Sequence, residues 1–131
     1  MTGIEALALA IWMECRSCDQ EVDRVAVAHV IMNRVEDQEG EFRNRNTVEA
    51  VISQPGHFPW YDKNTLQLDN TIERDAWKNA KSIAKIVYNG HTIDPTNGAM
   101  WFHRNDVSFE WTQFLEKVYV GSNIHYFWVQ R

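Results

Sequence analysis

The chain has 131 residues, 44% of them hydrophobic, which is enough to bury a core and falls in the commonest size range for one domain. Lys and Arg total 13 against 18 Asp and Glu, a net charge of -5, so no broad basic surface is available for a phosphate backbone and nucleic acid is excluded as the main partner. No apolar run approaches the roughly 20 residues of a membrane helix, and the start lacks a basic segment followed by a cleavable apolar one, so neither membrane insertion nor an export signal is expected.

The first helix is expected from about Ile4 to Arg16, with Ile4, Leu7, Ala8, Ile11, Cys15 and Cys18 as its apolar stripe. Glu14 lies three or four residues from Ala10, Ile11 and Cys18, so its carboxylate shares the inward face or points into a crevice. Cys15 and Cys18 form a C-x-x-C, which suits a redox pair, half of a metal site or two small packing residues. With no second Cys pair and no strand ahead of the helix, packing is the expected role. Ser17, followed by Gln20, has capping-box form and predicts that one helix stops and another starts there. The segment "EVDRVAVAHVIMNRV", Glu21 to Val35, is apolar around most of its circumference, as a central helix would be. His29 and Asn33 share a face of it, and an internal hydrogen bond is expected of that pair.

"NTVEAVISQ" reads as a short helix capped by Asn46 or Thr47 and ended by Pro55-Gly56. The stretch "QPGHFPWYDKNTLQLDN" has no clear period yet carries Phe58, Trp60 and Tyr61, which suits a binding loop. A further helix is expected from about Thr71 to Asn89, opened by Asn70 and Glu73 at capping-box spacing and stopped by Gly90. "DPTNGAMWFHRND" begins with turn residues and continues into a short strand or buried extended segment. The runs "KVYV" and "IHYFW", separated by Gly-Ser-Asn, suggest a closing hairpin. The expected fold is mainly α, a compact helical domain spanning 1–131 with a small β-hairpin or short strands.

A carboxyl group among apolar side chains loses solvation of its charged form, and its pKa rises toward what a general acid near neutral pH requires. Arg16 or Arg34 could instead pair with Glu14 and pull it back down, so spacing by itself leaves catalysis and ion pairing open. Six Trp, four Tyr and six Phe are a high aromatic load for this length. Flat apolar faces flanked by polar groups suit sugar rings, and Trp60, Tyr61 and Trp101 are candidate stacking residues.

In order along the chain, "AIWMECRSC", "VAVAHVIMNRV", "VISQPGHF", "DPTNGAMWFH" and a terminal His-Tyr-Phe resemble the blocks of the cell wall hydrolase family of the SleB, spore-cortex lytic, type. The resemblance implies a lysozyme-like α+β fold and cleavage of peptidoglycan glycan strands, commonly by lytic transglycosylation. By that resemblance Glu14 matches the catalytic acid, and Asn33 and Arg34 match an Asn-Arg-Val helix end that supports the site. Gln54 and Phe58 match a substrate loop, and Gly98, Ala99, Phe102 and His103 match a Gly-Ala aromatic segment. Two departures stand out: Cys15 replaces the usual Ala after the acid, and Ile124 separates Asn123 from His125 in "GSNIHYF"; His125 is still expected at the substrate surface by that resemblance.

Glycoside hydrolysis normally takes two carboxylates, one acid and one base or nucleophile. Transglycosylation within a muramic acid residue needs one, and Glu14 is expected to act by that route; Asp62, Asp94, Asp106 and Glu110 are the alternatives for a second. No cofactor or metal is expected. A rival reading is a zinc amidase drawing on His57, His91, His103 and His125, although none of these stand at i, i+4 spacing around a Glu. Another is a noncatalytic wall-binding or virion-structural module. The expected setting is a monomeric bacteriophage lysin acting on peptidoglycan, either released from the host cytoplasm through a holin or carried in the virion; a domain excised from a longer bacterial enzyme fits equally.

Overall fold

The computed structural model describes residues 1–63 and 71–130. Helix α1 (Gly3–Cys15) begins at a reciprocal capping box: Thr2 accepts from the Glu5 backbone N–H at 3.0 Å and Glu5 accepts from the Thr2 N–H. Every residue from Ala6 to Trp12 is buried. The alternation of Ala6, Ala8 and Ala10 with Leu7, Leu9 and Ile11 explains why, because small side chains let neighbouring helices approach on several sides. This first helix contacts each of the other three, and so does the second, which is central as its composition suggests.

Helix α2 (Glu21–Val35) has the expected bounds, but Gln20 occupies its cap position and makes no side-chain capping bond, so the Ser17–Gln20 box does not form. Helix α3 (Val48–Ile52) is capped by Thr47, whose hydroxyl accepts from Ala50 N at 3.1 Å. A 3-10 turn, Pro59–Lys63, orders the aromatic loop in which no period is visible. Helix α4 (Thr71–Tyr88) lays Ala80, Ile83, Ala84 and Val87 into the core beside α1. It stops at Gly90, whose φ of +76 lets His91 N reach back to the Ile86 carbonyl at 2.9 Å. The capping pair expected of Asn70 and Glu73 lies outside the described residues.

Three strands close the chain: β1 (Trp101–Arg104), β2 (Leu115–Val118) and β3 (His125–Gln130). The expected hairpin is β2 with β3, and β1 adds on the other side, so β3 is the central strand and antiparallel to both neighbours. Alternation on β3 buries His125 and Phe127, while Tyr126 and Trp128 face the other way. A turn between β2 and β3 is tied to α2, because buried Asp23 accepts from the Ser122 hydroxyl at 2.7 Å. Gly121 allows this close approach: its φ is +56, and a Cβ there would lie 2.3 Å from Asp23 Oδ1.

Cys15 and Cys18 are joined in a disulfide. They were expected as two packing residues on one helix, but α1 ends at Cys15 and the following turn brings the Cα atoms to 4.9 Å, within bridging range. Among the described residues no helix is long and apolar enough to cross a membrane.

Candidate active site

The end of α1, the end of α2, the 37–42 turn and β1 surround a cleft of about 1060 Å³. Glu14 enters it from the last turn of α1, partly exposed, with no basic residue in that turn. A carboxylate there faces the negative end of the helix dipole, which favours its protonated form. Burial pushes the Glu14 pKa up; the Trp60 hydrogen bond and the charges of Arg104 and Arg34 oppose that shift without cancelling it. The Trp60 indole N–H donates to Glu14 Oε1 at 2.9 Å.

The arginines do not neutralise this acid in the way spacing leaves open. Arg34 lines the cleft, but its Nε donates to the Met100 carbonyl at 2.8 Å and its guanidinium lies 4.3 Å from the Phe42 ring centre. Burial lowers its pKa to about 10, so it remains a cation at neutral pH. Arg16 lies over the Trp12 ring at 4.1 Å.

His29 and Asn33 do not bond to each other. His29 Nε2 meets the Thr92 hydroxyl at 2.7 Å, whereas Asn33 donates to Asp94 at 2.9 Å and to the Ala99 carbonyl at 3.0 Å. Both therefore fasten the 92–99 loop that delivers β1 to the cleft. Asp94 is the centre of that loop, accepting also from Thr96 N, Thr96 Oγ1 and Gly98 N. Burial alone would raise its pKa, but these hydrogen bonds outweigh it and hold the carboxyl below the ordinary value. Asp94 is thus a loop anchor. Asp106 is exposed and pairs with Arg104 at 3.6 Å, Glu110 is exposed, and the Asp62 side chain lies outside the described residues.

Two other carboxylates line the cleft, and neither stood out in the sequence. Asp37 accepts from Gly40 N and Phe42 N, which holds it low, and Glu41 accepts from the Trp101 indole at 3.0 Å. Phe58, Trp101, Phe102 and His103 line the cleft. Trp60 and Tyr61 stand beside it: Trp60 holds Glu14, and Tyr61 donates to Glu49 at 3.1 Å. Gln54 is outside the lining, its carbonyl accepting from His57 N at 3.2 Å. His125 is likewise displaced from the substrate surface, because β3 is the central strand and buries it behind Phe102, with ring centres 5.4 Å apart.

Phe109 and Trp111 were also missed, although they form an exposed aromatic platform in the lining of the cleft. Their rings stack at 5.4 Å, are 44% and 42% exposed, and flank His103. Two aromatics separated by one acidic residue in a polar loop were the available signal. Among the described residues the one cluster of metal-ligating types is Cys15, Cys18 and His125, so the histidine set of an amidase is not brought together.

A half-buried, protonation-prone carboxyl in an aromatic-lined cleft at a helix end defines a glycan-cleaving site. The sequence profile described as Cell Wall Hydrolase matches residues 19–128, and the chain belongs to that family. It is a peptidoglycan-degrading enzyme of the glycosidase type. Among solved structures it is similar to the catalytic domain of the germination-specific lytic transglycosylase SleB from Bacillus anthracis, with 26% identity and a TM-score of 0.70 over 97% of this chain and 93% of that one. No curated protein sequence matches the chain. Glu14 lies just ahead of the profile match, and the structural match extends over almost the whole chain.

Proposed function

We propose that this enzyme cuts the β-1,4 bond between N-acetylmuramic acid and N-acetylglucosamine by lytic transglycosylation, with Glu14 as its one acid and base. The observation that carries the reading is the Glu14 carboxyl, held by Trp60 within the cleft and biased toward protonation. Trp60 occupies Oε1 and leaves Oε2 to carry the proton. Glu14 gives that proton to the glycosidic oxygen as the C1–O bond breaks and positive charge develops on the muramic ring. The C6 hydroxyl of the same sugar then attacks C1, and the Glu14 carboxylate takes the hydroxyl proton. No water is consumed, and the acid is restored in its starting state.

Glu41 supports a second reading. It lines the same cleft and is oriented by Trp101, so a two-carboxylate hydrolysis would use it to activate water. Mass spectrometry of digested peptidoglycan separates the two. Products ending in 1,6-anhydromuramic acid are expected; reducing-end muramic acid would overturn transglycosylation in favour of hydrolysis.

A further inference from the structure

Behind the cleft, Cys15, Cys18 and His125 place two sulfurs and one imidazole nitrogen within 4.8 Å of one another, in the one such grouping among the described residues. His125 is 1% exposed, and neither of its ring nitrogens has a hydrogen-bond partner. A buried imidazole left wholly unpaired is costly, and such a group calls for a ligand that the folded chain itself does not supply. We propose that Cys15, Cys18 and His125 form a zinc site that opens when the disulfide is reduced.

The chemistry balances with a dithiol reductant. Two electrons and two protons pass from the dithiol to the Cys15–Cys18 bond, leaving two thiols and an oxidised reductant. Zinc then displaces the two thiol protons to solvent and binds two thiolates and the neutral imidazole. A divalent ion with two thiolates is a neutral centre, so it needs no buried counter-charge. Arg24 donates to the Cys18 carbonyl and so helps to fix the turn that carries the second cysteine. A surface pocket of about 120 Å³, lined by Trp12, Cys15, Arg16 and Arg24, reaches Cys15 and is large enough to hold a water. The metal would tie the end of α1, the helix that carries Glu14, to the first residue of central strand β3. This site is distinct from the cleft and departs from the expectation that the chain binds no metal.

The test uses the whole chain, reduced with a dithiol, exchanged into metal-free buffer and titrated with cobalt(II) and then zinc(II). One cobalt per chain is expected, with a thiolate-to-cobalt charge-transfer band that zinc abolishes. The oxidised protein should show no band, and Cys15→Ser with Cys18→Ser should lose it. His125→Gln, checked for fold by circular dichroism, should weaken zinc binding by at least about tenfold, the scale on which even outer partners act. Because that variant removes a buried side chain, X-ray absorption of the zinc-loaded wild type gives a second readout, expected to show two sulfur ligands and one imidazole nitrogen. Absence of the band in reduced protein, a sulfur-only zinc shell, or unfolding on reduction that zinc does not reverse would overturn the site.

Discussion

Trp60 donates its indole N–H to the Glu14 carboxylate at 2.9 Å, across 46 residues of chain. This contact joins the two features that define the enzyme, an acid on a buried helix and an aromatic loop. The bond favours the ionised form, while burial favours the protonated one and prevails. Glu14 is thereby held in place with its protonated form still favoured, as the proposed role of general acid requires.

Replacing Glu14 with Gln should keep the Trp60 bond, since an amide oxygen accepts as a carboxylate does. The fold should therefore survive with a thermal midpoint close to wild type. Glycan cleavage should fall by about 10²–10⁴-fold, the usual contribution of a positioned acid and base. Muropeptide release together with a thermal melt checks both halves.

Trp60→Phe removes the donor but keeps most of the ring. The Glu14 pKa should rise further, because the lost bond stabilised the carboxylate. The catalytic step begins from the protonated acid, so activity falls as pH rises through that pKa, and the alkaline limb of the pH profile should move upward in the variant. An unmoved limb would show that another group governs it.

Asp94 predicts how stability responds to acid. Its folded pKa is held below 3.8 by its hydrogen bonds, so above 3.8 those bonds count in full. As pH falls through 3.8 the unfolded chain takes up a proton that the folded carboxylate does not, and stability is lost progressively. Asp94→Asn should lower stability at neutral pH by about 1–3 kcal/mol and flatten this acid slope. Urea unfolding at a series of pH values measures both effects.

Phe109 and Trp111 offer an exposed stacking platform in the cleft for a sugar ring of the glycan. Trp111→Ala should raise KM on long glycan strands by roughly twofold to tenfold, corresponding to about 0.5–1.5 kcal/mol, with kcat little changed. Short glycan fragments that do not reach the platform should be cleaved as by wild type.

Much of the helical frame was legible because its signals are local. Thr47 and Gly90 mark ends that depend on a few neighbouring residues, and Glu14 is placed on α1 by helical spacing. Phe58, Trp101, Phe102 and His103 were legible from the ordered blocks of the family, and all four line the cleft. Asp37 and Glu41 were not, because an acidic residue in a polar turn looks the same whether it faces solvent or a cleft. The role of His125 was misplaced for a related reason: its pattern identifies a strand, but its position behind Phe102 follows from β3 being central.

The sequence by itself determined where most of the helices run, that Glu14 lies on the inward side of the first of them, and which aromatic segments accompany it, since periodicity, caps and turns act over a few residues. Tertiary structure decided how deeply α1 is buried, that Trp60 meets Glu14, and that Cys15 and Cys18 bond to each other beside His125. Three of those outcomes depend on close packing between segments far apart in the chain, and the disulfide depends on where α1 stops and turns. Spacing along a sequence gives the direction of a side chain but not the group it will meet.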